Sequence, residues 1–155
     1  MKLYICCHKV PGGRIPASFD FAGFAQSLEA TRGTTLHLSP LSGGSPWASM
    51  WIHQPGNDWI VYRSSPTCER DYQLIAHQAA HMLLGHRGIT ITGPMLGCLL
   101  FPEINDRLCE LFPRGDINCA VANGDEERQA LDVAREFLRL GAVPPDEPFD
   151  DLAAA

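Results

Sequence analysis

The chain has 155 residues, of which 45% are apolar and 19% charged, with a formal net charge of −6 at neutral pH. This length suits one domain with a real core, and the composition excludes disorder throughout. The acidic balance argues against nucleic acid or an acidic membrane surface as the main partner, so no direct nucleic-acid binding is expected.

The start, Met1 to Lys9, has neither a long apolar core nor a small-residue cleavage site and does not read as a signal peptide. No window approaches the ~18 uninterrupted apolar residues of a membrane span, so a cytoplasmic protein with no membrane partner is expected. In that compartment Cys6, Cys7, Cys68, Cys98, Cys109 and Cys119 are expected as reduced thiols. No Cys-x-x-Cys pair supports a zinc knuckle.

Residues 1–16 are broken by Pro11, Gly12, Gly13 and Pro16 and suit a flexible lead-in. From Ser18 to Thr31, Phe21, Phe24, Ala25 and Leu28 recur at helical spacing, with Ser18 or Asp20 as cap and Gly33 as stop. Thr34 to Leu38 reads as a strand, and Ser39 to Pro46 as a loop. Ala48–Ile52 and Trp59–Tyr62 flank a turn-forming Gln54-Pro55-Gly56-Asn57-Asp58, the pattern of an antiparallel hairpin whose tryptophans favour the core over a cleft wall. Ser65 as N-cap with Pro66 in the first turn predicts a helix that ends at Gly85 or Gly88. Residues 89–102 read as irregular, Ile104–Phe112 as a short helix, and Asp125–Leu140 as a long one with an Asn123/Glu126 capping box and a stop at Gly141. Residues 142–155 read as a disordered tail. One domain over 17–141 is therefore expected, of α+β class: a small antiparallel or mixed sheet packed on a central helix, with two or three further helices.

That central helix carries His77 and His81, four residues apart in an apolar run. Positions i and i+4 share one helix face, so both imidazoles can reach one point, as two zinc ligands must. Ala79 and Ala80 between them leave room for a metal and a substrate. The competing reading is a pair of buried neutral histidines, but polar atoms in such a run must find partners.

A catalytic zinc takes three protein ligands. In the last helix Ala130, Leu131, Val133, Ala134, Phe137 and Leu138 form an apolar stripe, opposite Arg128, Asp132, Arg135, Glu136 and Arg139. Glu127 falls on the apolar side with Leu131, Ala134 and Leu138. An inward carboxylate is costly unless paired or bound to a cation, which makes Glu127 the candidate third ligand. A first-turn glutamate favoured by the helix dipole is the plainer alternative. Glu126, Glu110 and Glu103 are fallback ligands.

The order helix, strand, hairpin ending in Asp58-Trp59-Ile60-Val61-Tyr62, Ser-Pro lead and two-histidine helix resembles the ImmA/IrrE family of small intracellular zinc metallopeptidases. The later Glu127-x-x-Ala130 with Val133-Ala134 is similar to that family's third-ligand helix. The resemblance covers residues 20–140, with the two-histidine helix as its specific part. It implies a minimal zincin fold, a Zn2+ cofactor on His77, His81 and Glu127, and a protein or peptide substrate such as a co-encoded helix-turn-helix regulator. Zincins take substrate as an added strand on a sheet edge, and Trp59, Ile60, Val61 and Tyr62 are expected to line that cleft.

Metallopeptidases write the motif H-E-x-x-H, with the glutamate as general base. This chain writes His77-Gln78-Ala79-Ala80-His81, with Gln78 in the base position. An amide can hydrogen-bond a water but cannot take its proton. General acid–base help contributes about 10²–10⁴ in rate, so impaired hydrolysis is expected. Tyr72, His86 and Glu69 are the nearest replacement groups, none at a recommending spacing. The alternative is a non-catalytic metal-binding or partner-binding module of a regulator or toxin–antitoxin-like pair.

Overall fold

A computed structural model describes residues 2–6, 15, 18–41, 49–64, 67–86, 89–90 and 124–141. The fold is α+β. The strands are β1 (Lys2–Cys6), β2 (Thr35–Leu41), β3 (Ser49–Gln54), β4 (Asn57–Arg63) and β5 (Ile89–Thr90); the helices are α1 (Phe21–Arg32), α2 (Cys68–Leu83) and α3 (Gly124–Leu140). Among the described residues they form a five-stranded sheet in the order β2-β4-β3-β1-β5, with the β2–β4 pair parallel and the other pairs antiparallel.

The hairpin β3–β4 is the sheet's centre. Gln54 pairs with Asn57 across a two-residue Pro55-Gly56 turn, and Gly56 at φ 78° takes the left-handed conformation that side chains resist. Trp51 and Ile60 face each other in the ladder and enter the main core beside Ile75, Ala76 and Ala79 of α2. Met50, Ile52 and Val61 take the alternate positions and are buried as well, so both faces of this hairpin are covered.

Helix α2 lies between the sheet and α3. Its run from Leu74 to Met82 is buried without a break, as expected of a helix sandwiched by two layers. Of the predicted stripe of α3, Ala130, Val133, Ala134, Phe137 and Leu138 are buried, while Leu131 at its margin is half-buried. Phe19, Phe21 and Phe24 meet Tyr72 and Phe137 in a ring cluster that joins α1 to both other helices. Each fully buried side chain of this size stabilises the fold by about 1.5–3 kcal/mol.

A buried charge ties the far end of the hairpin. Asp58 is fully buried and accepts hydrogen bonds from Arg32 Nε at 3.2 Å, Thr34 Oγ1 at 2.6 Å, Trp51 Nε1 at 2.9 Å and His53 Nδ1 at 2.8 Å. Burial pushes its carboxyl up, but the four hydrogen bonds together outweigh that and hold it below the ordinary value. The end of α1, the α1–β2 connection and β3 are thereby fastened to β4.

Several sequence-based expectations are corrected. Residues 2–6 of the expected lead-in form β1, which sits inside the sheet between β3 and β5. Strand β2 runs on to Leu41, three residues into the expected loop, by pairing with β4. Ile89–Thr90, in the expected irregular segment, pairs with β1. In each case a distant partner supplies the ladder, which local pattern does not show. Helix α2 starts at Cys68 with Thr67 at the N-cap and no side-chain cap bond, later than the Ser65-Pro66 start. Asp20, rather than Ser18, caps α1 through Ala22 N at 3.1 Å, and Gly33 ends it. Ser65, Pro66, Trp47, the 104–112 helix, Asn123 and the tail from residue 142 lie outside the described residues. Among the described residues no helix is long and apolar enough to cross a membrane.

Candidate metal centre

Helical periodicity places His77 and His81 on one face of α2, where both are completely buried. Glu127 arrives from the first turn of α3 and is buried with them. His77 Nε2 donates to Glu127 Oε1 at 2.6 Å; His81 Nε2 lies 2.9 Å from His77 Nε2 and 3.4 Å from Glu127 Oε1. Three potential ligand atoms thus converge on one point. This buried group could hold a metal ion.

Two imidazoles and a carboxylate are the set used at open, catalytic sites. Tetrahedral ligands at about 2.0–2.1 Å from an ion sit about 3.3 Å apart, so a modest opening of the triad accommodates one. A cation there would replace the proton now shared between His77 and Glu127, and would compensate the buried carboxylate. His81 is also in the right state. Burial, with the neighbouring His77 and His86, outweighs the Glu127 carboxylate and pushes its pKa down to about 4, leaving the ring neutral near pH 7.

The second ring nitrogen of His81 is held from outside the triad. Gly85, at φ 65°, turns the chain at the end of α2, and His86 folds back to donate its backbone N–H to His81 O at 3.1 Å. The His86 ring then sets its Nδ1 2.8 Å from His81 Nδ1 and its Nε2 3.3 Å from Gln129 Oε1 of α3.

Gln78 is buried at the sheet side of the helix. Its Nε2 donates to Ser49 Oγ at 2.9 Å, the first residue of β3. Its Oε1 is buried and, among the described residues, meets no hydrogen-bond donor. The amide is therefore anchored by its nitrogen with an acceptor left over.

The expected substrate strand is corrected. β4 is interior, paired with β2 on one side and β3 on the other, so Trp59–Tyr62 cannot receive an added strand. Trp59 is exposed and stacks on His37 with ring centroids 4.1 Å apart, against the expectation of a core tryptophan; Ile60 is core and Val61 is buried in the other face. Tyr62 faces the start of α2, where burial, then Asp71, Tyr72 and Cys68, raise its pKa. The sheet edge at β2 is blunted too, since Glu29 takes the Leu36 N–H at 2.8 Å and Pro40 has none.

Of the fallback ligands, Glu126 is half-buried and outside the triad, while Glu103 and Glu110 lie outside the described residues. Among replacement bases, Tyr72 stacks on Phe21 at 4.6 Å and Glu69 accepts from Ile15 N at 3.3 Å. Sequence reasoning missed Ser49 and Gln129, and weighed His86 only as a base. The Gly85-His86 dipeptide after the helix was the one available signal; nothing local marked the other two. Compared with family models, with curated proteins and with solved structures, the chain finds no match.

Proposed function

We propose that this chain is a zinc protein of the ImmA/IrrE peptidase type that binds a regulatory protein or peptide, with hydrolysis impaired by Gln78. The observation that carries the reading is the convergence of His77, His81 and Glu127, the last from a helix 50 residues away in sequence, on one buried point. Zinc on such a set polarises a carbonyl oxygen and lowers the pKa of a water toward about 7. The residues around it decide whether a peptide bond is then broken.

Peptide hydrolysis needs a group that takes a proton and returns it to the leaving amine. Gln78 stands in that position and its amide does neither near neutral pH. Its Oε1 can accept a hydrogen bond and so orient a water or a substrate N–H, while Ser49 keeps the amide from turning away. His86 is committed to His81 and Gln129. The chain's own groups thus favour binding over turnover. The same Ser49 anchor favours a second reading, a wholly non-catalytic module of a regulator or toxin–antitoxin-like pair, because it treats Gln78 as a built-in amide.

The two readings separate in one assay, with the zinc-loaded chain and its Gln78→Glu form incubated with a co-encoded helix-turn-helix regulator. Near-background cleavage by the first and clear cleavage by the second supports the peptidase reading. Binding without cleavage by either supports the module. Equal, substantial cleavage by both shows that another residue is the base.

A further inference from the structure

His86 and Gln129 lie outside the three ligands, yet their hydrogen bonds bear directly on the tautomer of His81. The amide oxygen Gln129 Oε1 can only accept, so the contact at 3.3 Å requires a proton on His86 Nε2. A neutral His86 then has a bare Nδ1. The contact of 2.8 Å between His86 Nδ1 and His81 Nδ1 is satisfied only if His81 carries its proton on Nδ1. His81 Nε2 then carries the lone pair and accepts at 2.9 Å from the His77 Nε2–H, the proton that His77 also gives to Glu127 Oε1 at 2.6 Å. The 3.4 Å approach of His81 Nε2 to Glu127 Oε1 is the longest of the three and carries no proton of its own.

We infer that His86, backed by Gln129, is a positioning residue that locks His81 in the Nδ1–H tautomer and so presents its Nε2 lone pair to the metal centre. The inference rests on the zinc reading for its purpose, and on the hydrogen bonds alone for its mechanism. Backbone geometry supports it independently. The left-handed Gly85 and the His86 N–H to His81 O bond hold the His86 ring against the helix end, with the two ring centroids 5.0 Å apart. A ligating histidine commonly gives its other N–H to such a partner, and loss of the partner lowers metal affinity about 10–100-fold.

The test uses the full chain with ¹⁵N-labelled histidines. Long-range ¹H–¹⁵N correlation on the metal-free protein at neutral pH should show His81 as the Nδ1–H tautomer and His86 as the Nε2–H tautomer. His86→Ala should release His81 into a mixture and weaken zinc binding, titrated against a chromophoric chelator, by about 10–100-fold. His86→Asn, which keeps an acceptor near the Nδ1 position, should recover most of both. Gln129→Leu changes an exposed position and spares the fold; it should mix the His86 tautomers and weaken zinc to a smaller extent. His81 protonated on Nε2 in the wild type, or an unchanged His81 pattern and zinc affinity in His86→Ala, overturns the inference. A wild type that shows the expected pattern but takes up no zinc sinks the zinc reading and leaves the positioning of His81 by His86 standing.

Discussion

Glu127 Oε1 lies 2.6 Å from His77 Nε2, and the two residues are 50 positions apart. The contact joins the first turn of α3 to the middle of α2 between side chains that are both buried. A buried carboxylate needs hydrogen-bond donors or a cation as partners, and both imidazoles of α2 lie within 3.4 Å of this one. The same arrangement predicts the behaviour of the protein on metal loading and removal.

Purified protein should bind about one zinc per chain, and chelation should lower its melting temperature. At a free zinc concentration of 100 times Kd the stabilisation should be about 2.7 kcal/mol. Elemental analysis and thermal melts with and without chelator check this. His81→Ala should abolish the zinc-dependent shift; a shift that survives would place the ion elsewhere.

Gln78→Glu should raise peptide turnover by at least about tenfold, below the full range that a general base contributes. Ser49→Ala removes the acceptor for Gln78 Nε2 and leaves a buried amide wanting, with a loss of about 1–3 kcal/mol in stability. Denaturant titration of both variants alongside the parent separates the chemical effect of position 78 from its structural one. No destabilisation in Ser49→Ala would mean that the anchor is dispensable.

Asp58→Ala should destabilise the fold by about 3–5 kcal/mol, because Arg32, Thr34, Trp51 and His53 lose their common acceptor. Asp58 lies at the far end of the hairpin from Ser49, so zinc affinity in the surviving folded protein should be unchanged. Equilibrium urea unfolding and zinc titration of the same sample test both halves. A loss under about 1 kcal/mol would show the network to be mostly solvated.

The metal-free protein should lose stability on acidification in two stages. His81 has a folded pKa of about 4 against about 6.5 unfolded, so the unfolded chain binds the extra proton first and stability falls as pH drops from about 6.5 to about 4. Asp58, held below its ordinary value, contributes stability above pH ~4 that is lost as pH falls through its folded pKa. Melting temperature against pH in the presence of chelator should therefore show a decline that begins well above the carboxylate range. His81→Asn should flatten the upper stage and leave the lower one; an unaltered profile would assign the upper stage to other groups.

The local period of the sequence was enough to determine some of these features. The i, i+4 spacing of His77 and His81 puts them on one face whatever packs against it, and the stripe of α3 turns Glu127 inward by the same 3.6-residue repeat. The ends of α1, the β3–β4 turn and the stop of α2 were legible because Asp20, Gly33, Gly56 and Gly85 act on their immediate neighbours. The α+β class followed from those elements.

Other features belong to the tertiary structure alone. Whether inward-facing Glu127 meets the histidines depends on how α3 lies along α2, which no residue of either helix encodes by itself. Tyr4 pairs with Trp51 and Leu38 with Ile60 through ladders closed over long stretches of chain, and these make β1 a strand and β4 an interior one. A hairpin read in isolation shows two free edges, and only pairing with the rest of the chain says which remain. The same is true of His86 beside His81 and Gln129, and of Gln78 against Ser49: each is a hydrogen bond between side chains whose positions are set by packing. Periodicity acts over a few residues and is written in the sequence, whereas register and contact between distant elements emerge only when the whole chain closes on its core.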